Sequence, residues 1–239
     1  MSSWRRLGVA VLQLTVMGAT VFESGTDGVA APASYSGAEI RGRVVDAETK
    51  QPLEGVHVVA QWILATGLIE AHHDTPLQIL ETVTDAKGEY YLPPWGPKPR
   101  PFLAVLEWGF DPILTFFKPG YRPATKNNYS PPPDDEAEMS QRFSLWDGKT
   151  IALRPFRGTA QEWAIYLSGV QNDLGWGYTG AVLGTVNDYW KQMPRIVLAI
   201  VEVRRRLPGP LKYRVQDLET WNVTEAQLRA FINPGGVTR

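Results

Sequence analysis

Between Ile40 and Leu92 the chain alternates and turns in a way that few folds accept. Gly42 and Val44 alternate with Arg41 and Arg43, and Val56, Val58, Ala60 and Trp62 alternate with His57 and Gln61. A period of two sends successive side chains to opposite faces of a β-strand. Pro52 and Gly55 bracket one turn, and Asp85 and Gly88 bracket another. Glycine supplies the positive φ that such turns need, and proline pre-sets the turn's entry. The stretch therefore specifies strands joined by tight turns, and it carries no catalytic motif of its own.

The spacing of these blocks is distinctive. Gly42-x-Val44-x-Asp46-x-x-Thr49-x-x-Pro52-Leu53-x-Gly55-Val56-x-Val58, followed by Thr84-Asp85-x-x-Gly88-x-Tyr90-x-Leu92, resembles the carboxypeptidase regulatory-like domain. Lys118-Pro119-Gly120-Tyr121 is similar to that family's later Gly-Tyr turn, and Thr150-Ile151-Ala152-Leu153 to its closing strand. The resemblance implies a mainly β fold, a seven-stranded Greek-key β-sandwich of the transthyretin (prealbumin) kind, followed here by an α-helical C-terminal segment. Lys50 stands where the family often has a turn glycine, and the run from Ile63 to Leu80 is longer than the usual connection. That run is open to two readings, a helical turn or a strand pair.

The flanks differ in character. Arg5-Arg6, the apolar stretch from Leu7 to Phe22 and the small-x-small triplet Ala31-Pro32-Ala33 follow the order of a signal peptide. The apolar stretch falls short of the ~20 residues of a spanning helix. Residues 1–33 are thus expected to be a cleaved signal, with a mature protein starting near Ser34 and located in the periplasm or secreted; an uncleaved anchor is the competing reading. Residues 34–39 read as a polar lead into the first strand, and 34–156 as the β domain. Beyond Phe156 the period lengthens to about 3.6. Thr159-Ala160-Gln161-Glu162 and Thr224 with Gln227 are capping boxes. Trp163, Leu167, Val170 and Leu174 form one apolar stripe, and Ile196, Ile200, Val203 and Leu207 another that opens at Pro194. Residues 157–239 are expected to form about three helices packed on the β domain or beside it. No stable membrane span is expected after signal cleavage.

Composition narrows the function classes. A net charge of −1 argues against a general nucleic-acid binder. Without cysteine there is no disulfide, thiolate nucleophile or lipoprotein anchor. There is no nucleophile elbow, zinc-protease helix motif, phosphate loop or dinucleotide fingerprint. No cofactor is implied. His72-His73-Asp74 is the one cluster with metal-ligand chemistry, and its alternative role is a solvated loop tip.

Aromatic residues give the other lead. Trp62, Trp108 and Trp163 fall on apolar stripes and read as core. The run from Pro93 to Pro101 reads as a stiff extended loop rather than a strand, since proline removes ladder donors. It holds Trp95 and Arg100, while a second long loop from Pro119 to Glu138 holds Tyr121, Arg122 and the acidic run Asp134-Asp135-Glu136. If both loops gather at one end of the sheets, Trp95, Arg100, Tyr121 and Arg122 form an aromatic, basic surface for a glycan, a peptide or an envelope protein. Otherwise Trp95 folds back as a hydrophobic lid. Two function classes follow: an exported non-catalytic binding or assembly module, and a hydrolase or metal-dependent enzyme whose site is built from the His72–Asp74 insert and the acidic loop. The hydrolase requires His57, His72, His73 and a carboxylate to converge.

Overall fold

A computed structural model of the chain describes residues 32–66, 72–101, 104–106, 111–128, 139–175, 189–221 and 223–232. The expected signal peptide, Trp108 and the acidic run at 134–136 lie outside these residues, apart from Pro32 and Ala33. The fold is mainly β, with several sheets and few helices.

Eleven strands come first: β1 (Ser34–Gly37), β2 (Ile40–Asp46), β3 (His57–Thr66), β4 (His72–Val83), β5 (Glu89–Leu92), β6 (Trp95–Pro99), β7 (Ala104–Leu106), β8 (Ile113–Phe117), β9 (Ala124–Lys126), β10 (Gln141–Arg142) and β11 (Lys149–Leu153). The helices follow: α1 (Ala160–Asp173), α2 (Pro194–Arg205), α3 (Gly209–Lys212) and α4 (Glu225–Ile232), with single 3-10 turns at Tyr189–Gln192 and Leu218–Trp221.

The central sheet runs β4-β3-β8-β9, all antiparallel, with β7 pairing the far end of β3. A second sheet runs β11-β2-β5, in which β11 and β2 are parallel and Ile151 stands opposite Val44. The third runs β10-β1-β6. The ambiguous run after Ile63 is thus a strand pair: β3 and β4 pair along their length, from His57 opposite Val83 to Thr66 opposite His72.

Two expectations are corrected here. The proline-rich run is not only loop, because Trp95–Pro99 pairs with β1. It can do so because β6 is the edge of its sheet, where a missing N–H costs no ladder bond on the open side. Residues 34–37 are likewise a strand, not a lead, and Tyr35 is buried within it.

Period two in β3 separates two cores. Val58, Ala60, Trp62 and Leu64 join Val44, Leu92, Ile151 and Leu153 in a core between the sheets. Val59, Ile79 and Phe117 lie on the opposite face of the central sheet and join Trp163, Leu167, Ile196 and Ile200 from the helices. Phe116 and Phe117 are sequence neighbours in different cores. The central sheet is therefore covered on both faces, and the helices pack on it as their apolar stripes require.

The caps behave as their spacing dictates. Glu162 N–H donates to Thr159 Oγ1 at 3.2 Å and Thr159 N–H donates to Glu162 Oε2 at 2.7 Å. Thr224 and Gln227 repeat the arrangement at α4, with Val223 and Leu228 buried beside it. Pro194 occupies the first turn of α2, where its missing N–H has no partner to lose.

Candidate functional site

The expected binding residues do not meet. Trp95 is 9% exposed and its ring lies 5.1 Å from that of Trp62, edge to face, in the core between the sheets. The exposed platform expected of Trp95 is therefore not formed; the ring is the lid of the other reading. Burying an indole removes far more apolar area from water than a short edge strand could leave exposed cheaply. Arg100 continues the same edge, its N–H donating to Ala33 O at 2.9 Å. Tyr121 and Arg122 follow the opposite end of β8, whose start faces Gln61, the neighbour of Trp62, in register. Five residues of strand, ~17 Å, separate the two ends. Tyr121 has a structural role, since its hydroxyl donates to Asp46 Oδ2 at 3.0 Å and braces the turn after β2.

The metal cluster fares differently. His72 and His73 sit at one end of β4, opposite Thr66 and Ala65, while His57 pairs with Val83 at the other. Along the strand that is roughly 25–30 Å. His57 cannot join them, and the convergence that a hydrolase there requires does not occur. Among the described residues, no group of three or more His, Asp or Glu is gathered to hold a metal.

The residues that do converge lie between the central sheet and the helices. The turn after β8 places Pro119 and Gly120 against Phe156, whose N–H donates to Gly120 O at 2.8 Å. Phe156 stands 4.7 Å from Trp163 and 5.8 Å from Tyr166 on α1, measured between ring centroids. The Arg122 guanidinium lies 5.9 Å over the Tyr166 ring. The end of α2 supplies the facing wall with Val203, Arg206 and Leu207. All of these but Tyr166 and Arg122 line an open cleft of about 340 Å³, within the range of small-molecule sites.

Behind its inner wall sit two perturbed titratable groups. Phe117 stacks on Trp163 at 6.4 Å and on its other side lies 6.3 Å from His57. Burial pushes the His57 imidazole down to about 4, assisted by the positive charges of Lys118 and Arg195. Glu81, near His57 on the adjacent strand, accepts the N–H of Arg195 at 3.0 Å and of Ile196 at 2.6 Å. Burial pushes its carboxyl up to about 7, against those two bonds, which favour the ionised form. Gln61 Oε1, Thr115 Oγ1 and His57 Nδ1 are buried with no hydrogen-bond partner. His57, Gln61 and Thr115 occupy the register positions of Val59, so they too face the helices.

A second buried charge pair lies at the other end of the sheets. Arg142 Nε is 3.4 Å from Asp111 Oδ2, with both side chains almost wholly buried. The Arg142 guanidinium also donates to Leu106 O and sits 5.3 Å over the Tyr35 ring. Burial pushes Asp111 up to about 6, even with Arg142 beside it. Asn128, in a glycosylation-like triplet, is buried here and donates to Asp111 O and Phe143 O at 2.9 and 2.5 Å. This pair ties three strand ends together and opens on no described cavity.

Sequence reasoning placed Trp163 and Leu207 on apolar stripes and missed the cleft they line. Its signal was present only in pieces: a capping box, an arginine run, and a Pro-Gly turn, each remote from the others in the chain.

Comparisons with known proteins add little. No protein-family model matches the chain, and no curated protein matches it. Among solved structures, the chain is similar to a 9R-lipoxygenase from Cyanothece PCC8801 at 13% identity, with 74% of this chain and 29% of that one covered and a TM-score of 0.21. The chain thus spans 29% of that protein's length, and a likeness so slight carries no argument about fold or activity.

Proposed function

We propose that the protein is an exported, non-catalytic binding module. In this reading its β domain is a transthyretin-like Greek-key sandwich of the carboxypeptidase regulatory-like kind, and the helical layer completes a ligand cleft on it. The observation that carries the reading is the cleft itself: Phe156, Trp163, Val203 and Leu207 present apolar walls that converge from the segment after β11 and from two helices. The parallel pairing of β11 with β2, beside antiparallel β5, supports the sandwich assignment. Export rests on the order of Arg5-Arg6, the apolar run and Ala31-Pro32-Ala33. The glycan expectation rested on an exposed Trp95 ring, so the ligand is reassigned to a small molecule with an apolar body. The metal-hydrolase reading loses His57 and is not carried forward.

Two measurements test this. N-terminal sequencing of the exported protein should begin near Ser34, and recovery of intact Met1 in the membrane fraction defeats the export step. The uncharged fluorophore phenylnaphthylamine should bind the full chain and brighten. The substitution Ala160→Trp, at an exposed position on the cleft wall, should abolish that signal while leaving thermal unfolding unchanged. Equal brightening by parent and variant sinks the cleft as the site.

A further inference from the structure

The cleft has one charged side chain in its lining, Arg206. Its neighbours in the arginine run are committed elsewhere. Arg204 pairs with Asp217 and its Nε donates to Val215 O at 2.7 Å. Arg205 donates to Glu225 Oε2 at 2.7 Å. Arg206 is exposed and forms no ion pair among the described residues. Glu162, in the first turn of α1 beside the lining residue Ala160, is turned back onto Thr159, whose N–H and Oγ1 it binds at 2.7 and 3.0 Å. Arg122 offsets its charge. The α2 C-terminus contributes about half a negative elementary charge, less than the full charge of the guanidinium. The mouth of the cleft is therefore electropositive, and its walls are apolar.

We infer that the cleft takes a small hydrophobic carboxylate, with its apolar stem against Phe156, Trp163, Val203 and Leu207 and its carboxylate on the Arg206 guanidinium. This rests on the cleft being the binding site. A guanidinium presents a planar fork of donors that matches a carboxylate in two-point contact. One arginine, with no lysine in the lining, matches a monoanion better than a phosphate dianion. The stem is held by removal of apolar surface from water, which is non-directional. The head group then decides which apolar molecules are retained.

Isothermal titration of the full chain with octanoate, octanol and octyltrimethylammonium tests both levels. Octanoate should bind roughly tenfold tighter than octanol, the value of one charge-assisted contact, and the cation should bind worst. Arg206→Gln, an exposed substitution, should bring octanoate and octanol to similar affinity while leaving octanol unchanged. Ala160→Trp should weaken both. Equal affinity of octanoate and octanol for the parent overturns the carboxylate inference and leaves the cleft standing. So does an octanoate preference that survives Arg206→Gln. If neither probe binds the parent, or Ala160→Trp weakens neither, the cleft reading fails together with the inference.

Discussion

Glu81 on β4 caps the helix that opens at Pro194, taking the N–H of Ile196 at 2.6 Å across the whole thickness of the sheet–helix interface. A carboxylate from a remote strand thus does the work usually given to a local capping residue. It couples the helical layer to the central sheet, and burial displaces the titration both of Glu81 and of His57 on the adjacent strand.

The two groups pull in opposite directions. Glu81 titrates near 7 in the fold against an ordinary 4.5, so its contribution is fully present below pH 4.5 and lost as pH rises through 7. His57 titrates near 4 against 6.5, so its contribution is present above pH 6.5 and lost as pH falls through 4. Between 4.5 and 6.5 the slopes of these two groups, each ~1.4 kcal/mol per pH unit, cancel, so the fall that remains up to pH 6 comes from Asp111, raised from 3.8 to about 6. Urea unfolding of the parent should show stability falling up to about pH 6. Relative to the parent profile, Glu81→Gln should add a rise with pH there and His57→Phe a fall, each by roughly 2–3 kcal/mol at most. Profiles of both variants that run parallel to the parent's sink the assignment.

Trp95 should behave as core. Truncation to alanine removes a ring packed on Trp62 and is expected to cost about 3–5 kcal/mol. Gly37 is part of the same fit, because a Cβ there would come within 2.1 Å of Trp95 Nε1. A Trp95→Ala protein with an unchanged urea midpoint would return the ring to the surface.

Lys50 is the one non-glycine described at positive φ, at 62°. It closes the turn that Asp46 organises by accepting the N–H groups of Glu48 and Thr49 at 2.7 and 2.9 Å. The left-handed conformation costs an L-residue roughly 1–2 kcal/mol, and glycine returns part of that gain as unfolded-state entropy. Lys50→Gly should therefore stabilise the chain by about 0.5–1 kcal/mol, read from denaturant midpoints. A loss of stability would mean that the Lys50 Nζ bond to Ala47 O, 2.6 Å long, outweighs the strain.

Local chemistry was legible in the chain itself. Strand alternation, the Asp85–Gly88 turn, both capping boxes and the proline start of α2 follow from short-range sterics and hydrogen bonding, and each appears where its residues stand. Even the oddity of Lys50 was readable as a missing glycine. Tertiary structure alone decided which face of β3 meets which partner. His57 and Gln61 look like a solvent face beside Val58 and Trp62, yet they point into the helical layer, because apolar stripes more than a hundred residues later cover that side. Proline content spoke against a strand at Trp95–Pro99, and an edge position made it one. The cleft depends on Gly120, Phe156, Trp163 and Arg206 meeting, and no local preference encodes the packing of remote segments, which follows from burying the faces that each element leaves apolar.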